Sequence, residues 1–224
     1  MGTLYLVRHG QASLGADDYD KLSALGQRQS ERLGAYFAGK GLRFEAVLIG
    51  NMKRHAQTWG HIAAGMGGVP DLQASVWPGL NEYDSAAVMD SVHAGPHAKP
   101  TTPEAYRAHF RLLRQGLQQW ARGQATPRNM PSYADFVQGI AEVLDHVRRQ
   151  HSGNVLLVSS GGPIATAVAQ LLGSRPEAFV ELNMRLRNTA VSEFVFTPKR
   201  YALQTFNTLP HLDAPEFADW ITYA

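Results

Sequence analysis

Three short runs, apolar at every position, stand out along the chain: Leu4-Tyr5-Leu6-Val7, Ala46-Val47-Leu48-Ile49 and Val155-Leu156-Leu157-Val158. Runs of this length without alternation predict strands buried on both faces, as in a parallel sheet. Between them the apolar positions recur at helical spacing. Ser23 is placed to cap a helix through about Lys40, with Leu25, Leu33, Tyr36 and Phe37 inward and Gly41 as its stop. A second helix is expected from about Met52 to Met66, followed by a short strand near Ala74–Trp77. Ser132 opens a long helix with Phe136, Ile140, Val143, Leu144 and Val147 on one side. Pro163 suits the first position of a helix over Ile164–Leu172. Ala190–Thr197 and Tyr201–Phe206 read as closing strands, one at an edge.

Residues 81–131 break this rhythm. They hold Pro96, Pro100, Pro103, Pro127 and Pro131 around a single amphipathic helix whose seam is Tyr106, Phe110, Leu113, Leu117 and Trp120. The stretch reads as an insertion or lid, about 83–131, in one domain spanning 1–224. Alternating strands and helices give an α/β class with a mostly parallel sheet.

Composition narrows the field. A chain of 224 residues that is 44% hydrophobic can bury a core unaided. It contains no cysteine, so disulfides and thiolate metal sites are excluded, and a reducing cytoplasm is the expected compartment. No apolar run approaches the ~20 residues of a membrane span, and the N-terminus does not read as a signal peptide. A net charge of +2 is too small for a nucleic-acid footprint. Neither membrane nor nucleic acid is an expected partner.

In parallel sheets ligands bind beyond the carboxyl ends of the strands, and the unusual residues fall there. Arg8-His9-Gly10 follows the first strand, Gly50-Asn51 leads into Lys53-Arg54 after the second, and Ser159-Ser160-Gly161-Gly162 follows the third long run. Arg8 and Arg54 offer forked guanidiniums suited to phosphate oxygens. His9 is a candidate nucleophile towards phosphorus, and Gly10 permits close backbone approach. Gly161 and Gly162 precede a helix whose first amides suit an anion. Glu82, in Leu80-Asn81-Glu82-Tyr83-Asp84, could protonate a leaving oxygen if burial raises its pKa. Each feature alone is ordinary: a salt-bridge pair, a solvated arginine, a turn, a surface carboxylate. Their shared position on strand ends is what joins them. Trp77, Tyr83, Tyr106 and Phe110 could line an apolar approach, although aromatic seams are more often core.

At this point the sequence resembles the histidine phosphatase superfamily, the phosphoglycerate mutase-like fold. Leu6-Val7-Arg8-His9-Gly10-Gln11 is similar to its signature. Leu22-Ser23-Ala24-Leu25-Gly26 with Gln29, Lys53-Arg54-His55-Ala56-Gln57-Thr58, Leu80-Asn81-Glu82, Val158-Ser159-Ser160-Gly161-Gly162 and Asn188-Thr189 resemble its further motifs. The resemblance implies a three-layer α/β/α sandwich and a phosphatase for small-molecule or protein phosphomonoesters, without cofactor or metal. It implies that His9 and Glu82 are catalytic and that Arg8, Arg54, Ser160 and Gly161 hold the phosphate.

The pattern also departs from the family. Ser160 stands where a second histidine is usual, Gly50 where a serine is, and His55 where an alanine is. An asparagine common after the first motif falls near Gly15. Either the phosphate pocket has lost a charged donor, or His55, His93 or His97 supplies it. His93 and His97 also have a metal-pair spacing, but Gly95 and Pro96 break any helix between them, so no metal site is expected. His61, His109, His146, His151 and His211 read as exposed or capping residues. An enzyme of reduced activity is expected, with a non-catalytic binder of phosphorylated ligands as the alternative. Phosphoglycerate mutase action is a weaker third reading.

Overall fold

A computed structural model describes residues 1–13, 18–93, 95 and 100–223. His97 and Gly15 lie outside them. Six strands form one sheet: β1 (Gly2–Arg8), β2 (Ala46–Ile49), β3 (Ala74–Val76), β4 (Asn154–Ser159), β5 (Val191–Thr197) and β6 (Arg200–Thr208). Their order is β3-β2-β4-β1-β5-β6. The first four run parallel, while β5 is antiparallel to both β1 and β6. The described helices of regular length are α1 (Ala24–Gly39), α2 (Lys53–Gly65), α3 (Ser85–Asp90), α4 (Pro103–Ala121), α5 (Tyr133–Gln150), α6 (Gly161–Leu171) and α7 (Ala178–Asn183).

The pleat sorts the apolar runs into two cores. Tyr5, Val7, Val47, Ile49, Leu156 and Val158 face Leu33 and Phe37 of α1 and Trp59 and Ile62 of α2. Leu4, Leu6, Leu48, Val155 and Leu157 face the other way, against Ile140, Val143 and Val147 of α5 and Ile164 and Val168 of α6. Continuous apolar runs are therefore what a sheet covered on both sides requires, and the architecture is the expected three-layer α/β/α sandwich.

Local chemistry fixes the helix ends. The Ser23 hydroxyl accepts from the Gly26 amide, and the Ser132 hydroxyl from the Asp135 amide. Gly41 takes φ +66°, which ends α1 in the left-handed region.

Three expectations change. Helix α6 begins at Gly161, so Pro163 is its third residue; there too its lacking N–H costs nothing, because the first-turn amides have no intrahelical acceptor. In the lid stretch, Leu113, Leu117 and Trp120 join the same buried cluster as the sheet, but Tyr106 and Phe110 are exposed at the start of α4. The helical seam outruns the core available to it. The stretch also contains α3, too short to show a period; its cap is Asp84, whose carboxylate accepts from the Ala86 and Ala87 amides. Among the described residues no helix is long and apolar enough to cross a membrane.

Candidate active site

Strand β4 lies between β2 and β1, and the register pairs Arg8 with Ser159 and Ile49 with Val158. The three unusual strand ends are therefore neighbours. Ser159 donates its hydroxyl to the Leu80 carbonyl (2.6 Å), which draws the Leu80-Asn81-Glu82 segment over the end of β4.

His9 is buried, 4% exposed. Its Nδ1 lies 2.7 Å from its neighbour's carbonyl, Gly10 O. A carbonyl only accepts, so Nδ1 carries the proton and Nε2 keeps its lone pair. Burial, then the charges of Arg8 and Arg54, hold the imidazole well below its ordinary pKa. His9 is thus a neutral base or nucleophile of fixed tautomer.

Arg54 lies in the first turn of α2 and is 5% exposed. Its Nη1 pairs with Asp20 (2.8 Å), and its Nη2 lies 3.4 Å from Ser160 Oγ. Arg8 donates through Nη1 to the carbonyls of Leu186 and Tyr223, both at 2.5 Å. The Nε atoms of Arg8 and Arg54 are buried without a partner, so each fork keeps a donor. Burial pulls Arg8 below its ordinary value, with Glu82 opposing.

Glu82 accepts from the Gly162 amide with both oxygens (3.0 and 3.2 Å) and from its neighbour's amide, Tyr83 N (3.2 Å). Burial nonetheless raises its carboxyl pKa, against the opposing pull of the Gly162 amide and of Arg54 and Arg8. The close fit requires glycine at 162, where a Cβ would stand 2.2 Å from Glu82 Oε1. Gly161 opens α6, and its own Cβ would meet Asn183 Oδ1 at 2.3 Å. Tyr83 Oη accepts from Asn183 Nδ2 (2.8 Å) beside this carboxylate, whereas Trp77 packs on His146.

Ser160 is the N-cap residue of α6 and fully buried, yet its side chain caps no amide. His55 Nε2 lies 2.7 Å from its Oγ. His55 is itself fully buried, and its pKa falls to about 3, through burial first and Arg54 second. Its ring centroid is 5.9 Å from that of His9.

Sequence reasoning missed the frame around these groups. The Gly10 amide donates to Thr58 Oγ1, and the Gln11 amide to Gln29 Oε1. Ser23 donates to the Gln11 side chain. Asn188 Nδ2 reaches the His9 carbonyl, and the Thr189 amide reaches the Arg8 carbonyl. Thr189 takes φ 55°, a left-handed conformation that is costly for a β-branched residue, and its hydroxyl lies 2.9 Å from His211 Nε2. His211, expected to be exposed or capping, is 4% exposed, and its contact with Thr189 is buried. Only the motifs at 22–29 and 188–189 hinted at such a frame. Among the described residues no group of three or more His, Asp or Glu is arranged to hold a metal ion.

Comparisons with known proteins bear on the fold and the family. The family model described as histidine phosphatase superfamily (branch 1) matches residues 4–209. No curated protein matches. A phosphoserine phosphatase from Entamoeba histolytica, solved with phosphoserine, superposes with a TM-score of 0.67 at 19% identity, over 95% of this chain and 100% of that one. An alpha-ribazole phosphatase from Shigella flexneri gives 0.65 at 21%, over 92% and 96%. A phosphoglycerate mutase from Bacillus anthracis gives 0.65 at 20%, over 94% of each chain. At these identities the solved structures speak for the fold, and with the family model they place the chain in the histidine phosphatase superfamily.

Proposed function

We propose that the protein is a phosphatase that hydrolyses phosphomonoesters through a phosphohistidine on His9. The observation that carries this reading is the buried, neutral His9, whose Nδ1–H is held by Gly10 so that Nε2 is a free nucleophile between two arginines. Nε2 attacks phosphorus in line with the ester oxygen. The P–N bond forms as the P–O bond to the alcohol breaks, and Glu82 passes its proton to the leaving oxygen. A raised pKa keeps that proton available. Water then attacks phosphorus, Glu82 takes its proton, the P–N bond breaks, and phosphate leaves with His9 restored. Arg8 and Arg54 stabilise the charge spread over the equatorial oxygens. Their present partners, two backbone carbonyls and Asp20, keep the forks in place until phosphate competes for them.

Phosphatases among the similar structures support the reaction class. Ser160 is read as standing where the family carries its second histidine, which supports the alternative of a phosphate-binding module without turnover. One experiment separates the two. The purified protein is assayed over a panel of phosphomonoesters with His9→Ala beside it. Turnover abolished in His9→Ala and untouched by chelator is the expected result. Turnover that survives His9→Ala overturns the phosphohistidine route, and phosphate binding without turnover favours the module.

A further inference from the structure

We propose that His55 is a positioning residue that acts on the phosphoryl group through the Ser160 hydroxyl, the two forming one relayed donor. The inference rests on the phosphatase reading above. His55 is a fully buried imidazole beside His9 that the proposed reaction does not otherwise use. The fold makes room for it: a Cβ at Gly50 would stand 2.4 Å from His55 Nδ1, so only glycine at the end of β2 leaves the ring its place.

His55 Nδ1 is buried and makes no hydrogen bond of good geometry, although the Gly50 backbone lies close enough to the ring to oppose the fall in its pKa. The relay places the proton on Nε2, where an unpaired lone pair is left at Nδ1 rather than an unpaired N–H, and Nε2 donates to Ser160 Oγ at 2.7 Å. Arg54 Nη2 approaches the same oxygen at 3.4 Å. A hydroxyl has two acceptor positions and one donor, so the Ser160 O–H is left to donate elsewhere. It is not spent on the amides of α6, which the side chain does not cap. The acceptor that suits a pocket flanked by Arg8 and Arg54 is a phosphoryl oxygen. A hydroxyl that accepts from an imidazole and a guanidinium is also a stronger donor than one that accepts nothing.

The test compares wild type, His55→Ala, Ser160→Ala and the double variant. It measures kcat and KM on 4-nitrophenyl phosphate, affinity for vanadate, and urea unfolding. Each single variant should lower kcat by about 10²-fold with little change in KM, as loss of one preorganised donor does. The double variant should be no worse than either single, because one chain has been cut twice. Vanadate should bind at least tenfold more weakly in each. A kcat for His55→Ala within about threefold of wild type, or losses that multiply in the double variant, would overturn the relay. So would a loss that matches the fraction unfolded in the assay. If wild type turns over nothing, the phosphatase reading fails, and vanadate affinity alone decides: weakened in both singles it upholds the relay, unchanged it ends it. Turnover that persists in His9→Ala strikes the functional reading and leaves the vanadate comparison to judge the pair.

Discussion

Gly50 and His55 are one feature distributed over two residues. A methyl group at 50 would meet His55 Nδ1 at 2.4 Å and Asn81 Oδ1 at 2.8 Å, and the imidazole is fully enclosed. Gly50→Ala should therefore cost about 1–3 kcal/mol of stability and lower turnover about as far as His55→Ala does. In the His55→Ala background the clash with the ring is gone while the Asn81 amide remains, and much of the stability loss should vanish. Urea unfolding of the four proteins measures this coupling; losses that simply add would show that the ring and the glycine do not compete for one space. By the same geometry Ser160→His alone should lower turnover, because His55 already lies against that position. Glu82 has a pH signature of its own. Its raised carboxyl must be protonated to serve a poor leaving group. For alkyl phosphates, turnover should fall as pH rises through that pKa, and the fall should be absent in Glu82→Gln, whose rate is low throughout.

At the scale of elements, the loop after His9 is held against the start of α1. A Cβ on Gly26 would stand 2.2 Å from the Gln11 carbonyl and 2.7 Å from its amide, both backbone atoms with nowhere to go. Gly26→Ala should push α1 off this loop, costing about 1–3 kcal/mol and most of the turnover. Gly60, inside α2, has open space where a Cβ would be. Gly60→Ala should stabilise by about 0.5–1 kcal/mol through helix propensity and leave turnover alone. Denaturant midpoints and kcat for the pair check the opposite signs; equal effects would refute the role given to Gly26. The contrast shows which features the chain makes legible. Arg8, His9, Arg54 and Ser160 were readable because apolar runs of four residues announce strand ends, and unusual residue types sat on three of them; Glu82 was read from the short Leu80-Asn81-Glu82 segment instead. The Gly10–Thr58, Gln11–Gln29 and Arg8–Tyr223 contacts were not, since no local pattern encodes a partner up to 215 positions away. The orientation of His55 escaped for the same reason: it depends on a glycine in another element. Helix α4 erred the other way, its apolar seam continuing through Tyr106 and Phe110 beyond any surface that covers it.

At the scale of the whole molecule, a site built on uncharged imidazoles carries a cost in acid. Burial lowers the pKa of His9, His55, His146 and His211, to about 3 for His55 and His211. The unfolded chain takes up these protons near pH 6.5, while the folded chain resists. The stability they represent is full above about pH 6.5 and is lost progressively as pH falls from there towards 3. Glu82 and Glu193 act in the opposite sense, since their raised pKa values let the folded state bind protons first. With four histidines against two carboxyls, net uptake of protons on unfolding is the expected balance, and each uncompensated proton lowers stability by about 1.4 kcal/mol per pH unit. Urea unfolding at pH 7 and at pH 5.5 should therefore show a lower midpoint at the acid value with an unchanged slope. A midpoint equal or higher at pH 5.5 would refute this balance: either the two carboxyls outweigh the histidines, or the histidines are protonated in the folded protein. In the second case His9 would meet the phosphate as a cation, without the lone pair its attack on phosphorus requires.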